Sequence, residues 1–201
     1  MAYSEWGMNT PIEMEIDYWK GISISKWEDR VSRIIKLLDI KYAYPEECVV
    51  DIGPGPWGGI FNKINAKDMW FIEPLIGHYH ARNIWIPPYN KHINLIMNLA
   101  EDVVIRDKFD VVIAVNSIDH GRSTPKALDN IYYMLKDKGI FKLHLHCRTK
   151  DQLNVAHHQA FDPEDVIEKC EELFSKVKLK ASDIDPLGNA KYRTVYGECI
   201  K

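Results

Sequence analysis

Short β-prone apolar runs alternate with longer amphipathic stretches along this chain. Five of the runs read as strands, at residues 48–52, 69–72, 93–97, 109–115 and 140–146. Several are almost continuously apolar, the pattern of parallel strands covered on both faces. Residues 16–38 carry Trp27, Val31, Ile34, Ile35 and Leu38 at helical spacing, so an N-terminal helix or helix pair should pack on the sheet or over its mouth. Thr124-Pro125 reads as an N-cap followed by proline at the first helical position, opening a helix over 126–135 that Lys138-Gly139 closes. Asp162-Pro163-Glu164-Asp165 repeats that signal and leads into a helix through Phe174. The last two β-prone stretches, 176–184 and 192–200, are joined by Asp185-Pro186-Leu187-Gly188-Asn189. That link is too short for a helical crossover, so the two should pair as an antiparallel hairpin. The alternation as a whole predicts an open α/β sheet with helices on both faces.

A length of 201 residues with 46% apolar side chains suits one domain, 1–201, with a helical cap over 1–45 and a sheet core over 46–201. Charge narrows the partners. With 26 basic against 29 acidic residues the net charge is −3, and neither sign forms a run of five. Nucleic-acid and anionic-membrane binders normally carry a basic excess or stripe, so neither partner is expected. No run approaches the ~18 apolar residues of a membrane helix, and the polar, acidic N-terminus lacks the pattern of a secretion signal. The expectation is a cytoplasmic protein acting on a small-molecule substrate, with its oligomeric state left open. Cys48, Cys147, Cys170 and Cys199 form no CxxC pair and read as buried, reduced thiols.

Chemistry concentrates where the first strand ends. Val49-Val50-Asp51-Ile52-Gly53-Pro54-Gly55-Pro56-Trp57-Gly58-Gly59 is a buried strand running into a glycine-rich turn and then a short helix. Glycines allow close approach of backbone to ligand, and a helix N-terminus offers unpaired N–H groups to an anion. Glu73 closes the second strand in Trp70-Phe71-Ile72-Glu73, where a carboxylate can accept two hydrogen bonds from a ribose diol. Trp57 stands in place of a third glycine, so either the turn is wider or the indole caps the ligand. Ile86-Pro87-Pro88-Tyr89 is assigned to a loop.

Three motifs in chain order extend the picture. Asp51-Ile52-Gly53-Pro54-Gly55 places an acid just before the glycines, Asn98-Leu99-Ala100-Glu101-Asp102 follows the third strand, and Asn116-Ser117-Ile118-Asp119-His120 follows the fourth. In this order the chain resembles the class I S-adenosylmethionine-dependent methyltransferases, of a small, stand-alone, methyltransferase type 11-like kind. The resemblance spans about residues 49–146 and implies a Rossmann-like, doubly wound, mostly parallel seven-stranded sheet ending in the hairpin. It implies S-adenosylmethionine as cofactor, held by Asp51, Gly53, Pro54, Gly55, Glu73, Pro74, Leu75, Leu99, Ala100, Glu101 and Asn116. The Leu99-Ala100-Glu101 loop lies along the adenine in that family.

Methyl transfer to a hydroxyl is helped by a general base, and histidine titrates in the right range. His120 sits in the crevice at the carboxyl ends of the strands, and Asp119 is expected to orient its ring or bind the substrate. His144 and His146 share one face of a strand, with His144 read as a satisfied core residue. His146, together with His157 or His158, is expected to bond a polar acceptor. The catalytic set is therefore His120, Asp119 and His146. Spacing alone does not bring three or four ligands together, so no metal site is assigned. Tyr18, Trp19 and Trp27 are read as core. Two other readings stay open, a non-catalytic S-adenosylmethionine-binding or partner subunit, and an NAD-dependent oxidoreductase using the same turn.

Overall fold

A computed structural model describes residues 10–86, 88, 91–154, 156–157, 159–188 and 191–201. Helices α1 (Thr10–Lys20) and α2 (Ile24–Leu37) lead into β1 (Ala43–Ile52), β2 (Asn65–Ile72), α3 (Ile76–Ala81), β3 (Asn94–Ile96) and β4 (Phe109–Val115). Then follow α4 (Thr124–Met134), β5 (Leu135–Cys147), α5 (Pro163–Leu173), β6 (Lys176–Ser182) and β7 (Arg193–Ile200). The seven strands form one sheet in the order β3-β2-β1-β4-β5-β7-β6. All neighbours are parallel except β5 with β7 and β6 with β7, so the predicted antiparallel hairpin closes the sheet.

Alternation along the strands divides the core in two. Val50, Ile52, Val112, Ala114, Phe141 and Leu143 meet Leu128, Ile131, Val166 and Cys170 of α4 and α5. Val49, Phe71, Val111 and Ile113 meet Ile16 and Trp19 of α1 and Trp27, Val31, Ile34 and Ile35 of α2. The N-terminal residues thus form a helix pair, split at Gly21-Ile22-Ser23, with the Ser23 hydroxyl accepting from Lys26 N–H to start α2. All four cysteines are buried free thiols, and burial with the neighbouring Asp68 pushes Cys48 up to about 12. Among the described residues no helix is long and apolar enough to cross a membrane.

Boundaries differ from the sequence reading in informative places. The N-cap of α4 is Ser123, whose hydroxyl accepts from Lys126 N–H, and Thr124 lies inside the helix. Lys138-Gly139 does not end that helix. Leu135 already pairs with Phe109, and Lys138, at φ +63, sits in an irregularity within β5. The fully buried Leu135 side chain holds this early strand start. β1 begins at Ala43, inside the span given to the helical cap, because Ala43 and Tyr44 pair with Asn65 and Ala66 ahead of a register shift. The chain leaves β1 toward β2 on one side and returns to β4 on the other. That reversal opens a crevice at the carboxyl ends of the strands, where such sheets bind ligands.

Candidate active site

A cavity of about 350 Å³ occupies that crevice. Gly53, Gly55, Glu73, Pro74, Leu75, Leu99, Ala100, Glu101 and Asn116 line one half. The Glu73 carboxylate turns toward the glycine turn, accepting from Gly55 N–H at 3.2 Å and Leu75 N–H at 2.9 Å. Gly55 lies at φ +70, and a Cβ there would overlap the Trp19 indole, so the Gly55 backbone is pressed between Glu73 and the α1 tryptophan. Burial raises Glu73 to about 7, with Glu15 adding to the rise and the two N–H bonds opposing it.

Asp51 and Pro54 stand behind the turn and do not reach the cavity. Asp51 accepts from Ile60 N–H at 3.0 Å, and burial raises it also to about 7. Gly59 packs on this carboxylate at φ +51, where any side chain would overlap Asp51. The helix expected after the glycines is only a 3-10 turn, Gly59–Asn62, and Asp51 takes its Ile60 N–H. Anion binding at a helix N-terminus is therefore not what this turn offers. Trp57 does not cap the cavity either; it is buried edge-on against Trp19 at 5.3 Å between ring centroids. Pro88 packs on Gly58 in the loop as expected, while Pro87 and Tyr89 lie outside the described residues.

Glu101 sits in the 3-10 turn Ala100–Asp102 and accepts from Arg122 N–H at 2.6 Å. Asn116, at φ +49, donates its N–H to His144 C=O, and its own Oδ1 is buried without a hydrogen-bond partner.

The other half of the cavity is built from side chains of distant segments. Glu15, Tyr18, Trp19, His120, His146, Arg148, His157 and Tyr192 line it. His120 Nε2 lies 3.0 Å from His157 Nε2, and His120 Nδ1 lies 3.9 Å from Glu15 Oε2. Asp119 is buried beneath them and does not orient His120. Its Oδ2 stands 3.5 Å from His157 Nε2 and 3.9 Å from Arg148 Nη2, and neither carboxylate oxygen has a hydrogen-bond partner. Burial, reinforced by His120, lowers His157 to about 3.

His144 is a buried core residue as expected, and the structure adds its partner. His144 Nε2 and His146 Nε2 each lie 3.0 Å from one oxygen of Asp185, a residue of the link before β7. Burial opposes ionisation of Asp185, yet the two imidazoles and Leu187 N–H hold it well below the ordinary carboxylate range. Burial likewise lowers His144 despite this carboxylate. His146 lines the cavity, with its Nε2 held by Asp185. His158 lies outside the described residues.

Sequence reasoning missed Glu15, Arg148, Asp185 and the cavity-facing side of Trp19. Glu15 had one signal, an acid one helical turn before Trp19, whose indole N–H it accepts at 2.7 Å. Asp185 had none, since Asp-Pro is ordinary turn chemistry.

No protein-family model matches the sequence, and a search of curated proteins finds no match. Solved structures do match. A 1,6-didemethyltoxoflavin N1-methyltransferase from Burkholderia thailandensis, solved with its substrate and S-adenosylhomocysteine, is 13% identical, with TM-score 0.64 over 100% of this chain and 91% of that one. An S-adenosylmethionine-dependent methyltransferase from Thermotoga maritima is 18% identical, with TM-score 0.63 over 98% and 99%. The N-methyltransferase NodS from Bradyrhizobium japonicum, in complex with S-adenosylhomocysteine, is 15% identical, with TM-score 0.62 over 87% and 86%. The chain has the class I methyltransferase fold. The cavity lies in the crevice between the glycine turn and the end of β4.

Proposed function

We propose that the chain binds S-adenosylmethionine and transfers its methyl group to a small molecule, at a hydroxyl. One observation carries this reading: Glu73 faces the Gly55 backbone at the rim of an open cavity. Each of its oxygens accepts a single N–H, so each keeps a lone pair for one hydroxyl of a ribose diol. Asn116 Oδ1, buried without a partner on the cavity wall, is a second acceptor in the same half. Two structural neighbours hold S-adenosylhomocysteine, which supports this cofactor.

The transfer is an in-line displacement. The acceptor oxygen forms the new bond to carbon, the carbon–sulfur bond breaks, and its electron pair stays on sulfur. Positioning and exclusion of water supply much of the acceleration. His120 takes the hydroxyl proton, and Glu15, 3.9 Å from its Nδ1, stabilises the ring once charged. Three of the neighbouring structures carry N-methyltransferase names, the Thermotoga maritima one as a possible histamine N-methyltransferase; a general base beside the acceptor favours oxygen here, because a neutral amine needs none.

Calorimetry with S-adenosylmethionine and S-adenosylhomocysteine should show saturable binding of both, and the absence of heat from folded protein sinks the reading. With an acceptor found by screening, His120→Ala should lower turnover ~100-fold, within the usual range for a lost general base. Unchanged turnover would remove His120 from that role while leaving the cofactor in place.

A further inference from the structure

We propose that Asp119, His120 and His157 form a binding site for one divalent transition-metal ion at the acceptor end of the cavity. Their donor atoms converge. His120 Nε2 and His157 Nε2 are 3.0 Å apart, His157 Nε2 and Asp119 Oδ2 are 3.5 Å apart, and all three lie within 4.8 Å of one another. The two measured separations are those of ligand atoms bound at ~2.0–2.2 Å to a common ion.

Two further observations point to a cation. Asp119 is 2% exposed, and both of its oxygens lack a hydrogen bond. A buried carboxylate left so is costly, and Arg148, at 3.9 Å, is outside hydrogen-bonding reach. The tautomer of His157 is also decided. Asn154 Oδ1 accepts the backbone N–H groups of Ala156 and His157 at 2.9 and 3.0 Å, so it is the amide oxygen. His157 Nδ1, 3.2 Å from that oxygen, must then carry the proton, leaving the Nε2 lone pair aimed at His120 and Asp119. An outer partner fixing one ring nitrogen so that the other can ligate is the usual support of a metal-binding histidine.

The second histidine cluster lacks these properties. Each oxygen of Asp185 already receives an imidazole, so His144, His146 and Asp185 satisfy one another as a closed unit. Two imidazoles and one carboxylate suit zinc, iron, cobalt, nickel or manganese better than calcium or magnesium. Three protein ligands leave positions open toward the cavity, where an acceptor oxygen can bind. That role, unlike ion binding itself, rests on the methyl-transfer reading. In the ion-bound protein His120 Nε2 cannot take a proton. The acceptor hydroxyl instead loses its proton to solvent on binding the ion, and the resulting oxyanion takes the methyl group.

The test is titration of chelator-treated full-length protein with Co²⁺, read by visible absorption, and with Zn²⁺ by calorimetry. One equivalent should bind, and His157→Ala and Asp119→Asn should each weaken it at least about tenfold. His146→Gln should not weaken it. Far-ultraviolet circular dichroism, measured on every variant, reports folding. No stoichiometric Co²⁺ binding to folded protein, binding that survives His157→Ala, or binding lost only in His146→Gln overturns the site. Cofactor binding without Co²⁺ overturns this inference alone, whereas Co²⁺ binding without cofactor overturns the proposed function and leaves the ion site standing.

Discussion

The two halves of the cavity solve the burial of charge in different ways. On the side of β1 and β2, each buried carboxylate is held by backbone N–H groups: Asp51 by Ile60, Glu73 by Gly55 and Leu75, Glu101 by Arg122. On the side of β4 and β5, side chains do most of the holding, and some polar groups have no hydrogen bond. Asp185 has two imidazoles besides the Leu187 N–H, but Asp119 and the Nε and Nη1 of Arg148 have no hydrogen-bond partner. In the first half the carboxylates are fixed by backbone donors, and they present acceptors to a ligand together with the unpartnered Asn116 Oδ1. The second is incomplete, and an incomplete buried polar group marks where a ligand or ion belongs.

Mutations can break or sharpen this contrast. The largest effect should come from Asp185→Ala, which strands two buried histidines and should cost ~3–5 kcal/mol of stability by urea denaturation. A loss under about 1 kcal/mol would show that this unit is not held by its carboxylate. Next, Glu73→Ala removes acceptors from both the turn and the ribose and should weaken S-adenosylhomocysteine binding ~100-fold by calorimetry. A change below about threefold would detach Glu73 from the cofactor.

Glu73 also predicts a pH effect. Its carboxyl holds a proton up to about 7 in the folded protein against an ordinary 4.5, so between those values the native state binds more protons than the unfolded chain. Its contribution to stability is full below the ordinary value and is lost as pH rises through about 7. Glu73→Gln lacks this dependence. Its stability relative to the wild type should therefore improve by about 2 kcal/mol between mildly acidic and mildly alkaline buffer, and a pH-independent difference would contradict the shift. The smallest effect should be Asp119→Asn in ion-free protein, within about 1 kcal/mol, since no hydrogen bond is lost. A loss as large as that of Asp185→Ala would mean that Asp119 is satisfied after all.

The strands, the hairpin and the glycine turn were legible because each depends on neighbours in sequence: runs of apolar residues, a link too short for a crossover, glycines after a buried strand. Glu73 was legible for a similar reason, since parallel pairing of β1 with β2 brings it to the turn whatever packs around them. The boundary of α4 was misread because Leu135, apolar and helix-compatible, is drawn into the sheet by pairing with Phe109.

The histidines show the opposite case. Residue types and strand face were visible for His144 and His146, yet neither Asp185, 41 residues away, nor the meeting of His120 with His157, 37 residues away, follows from any local rule. Sheet order and the carboxylate that meets the glycine turn follow from periodicity and backbone hydrogen bonding, which act over short stretches and parallel neighbours. Which imidazole meets which acid is decided by how α1, the segment after β5 and the link before β7 pack over the strand ends. Those contacts join side chains rather than backbone, and side-chain partners are chosen only when the chain is folded.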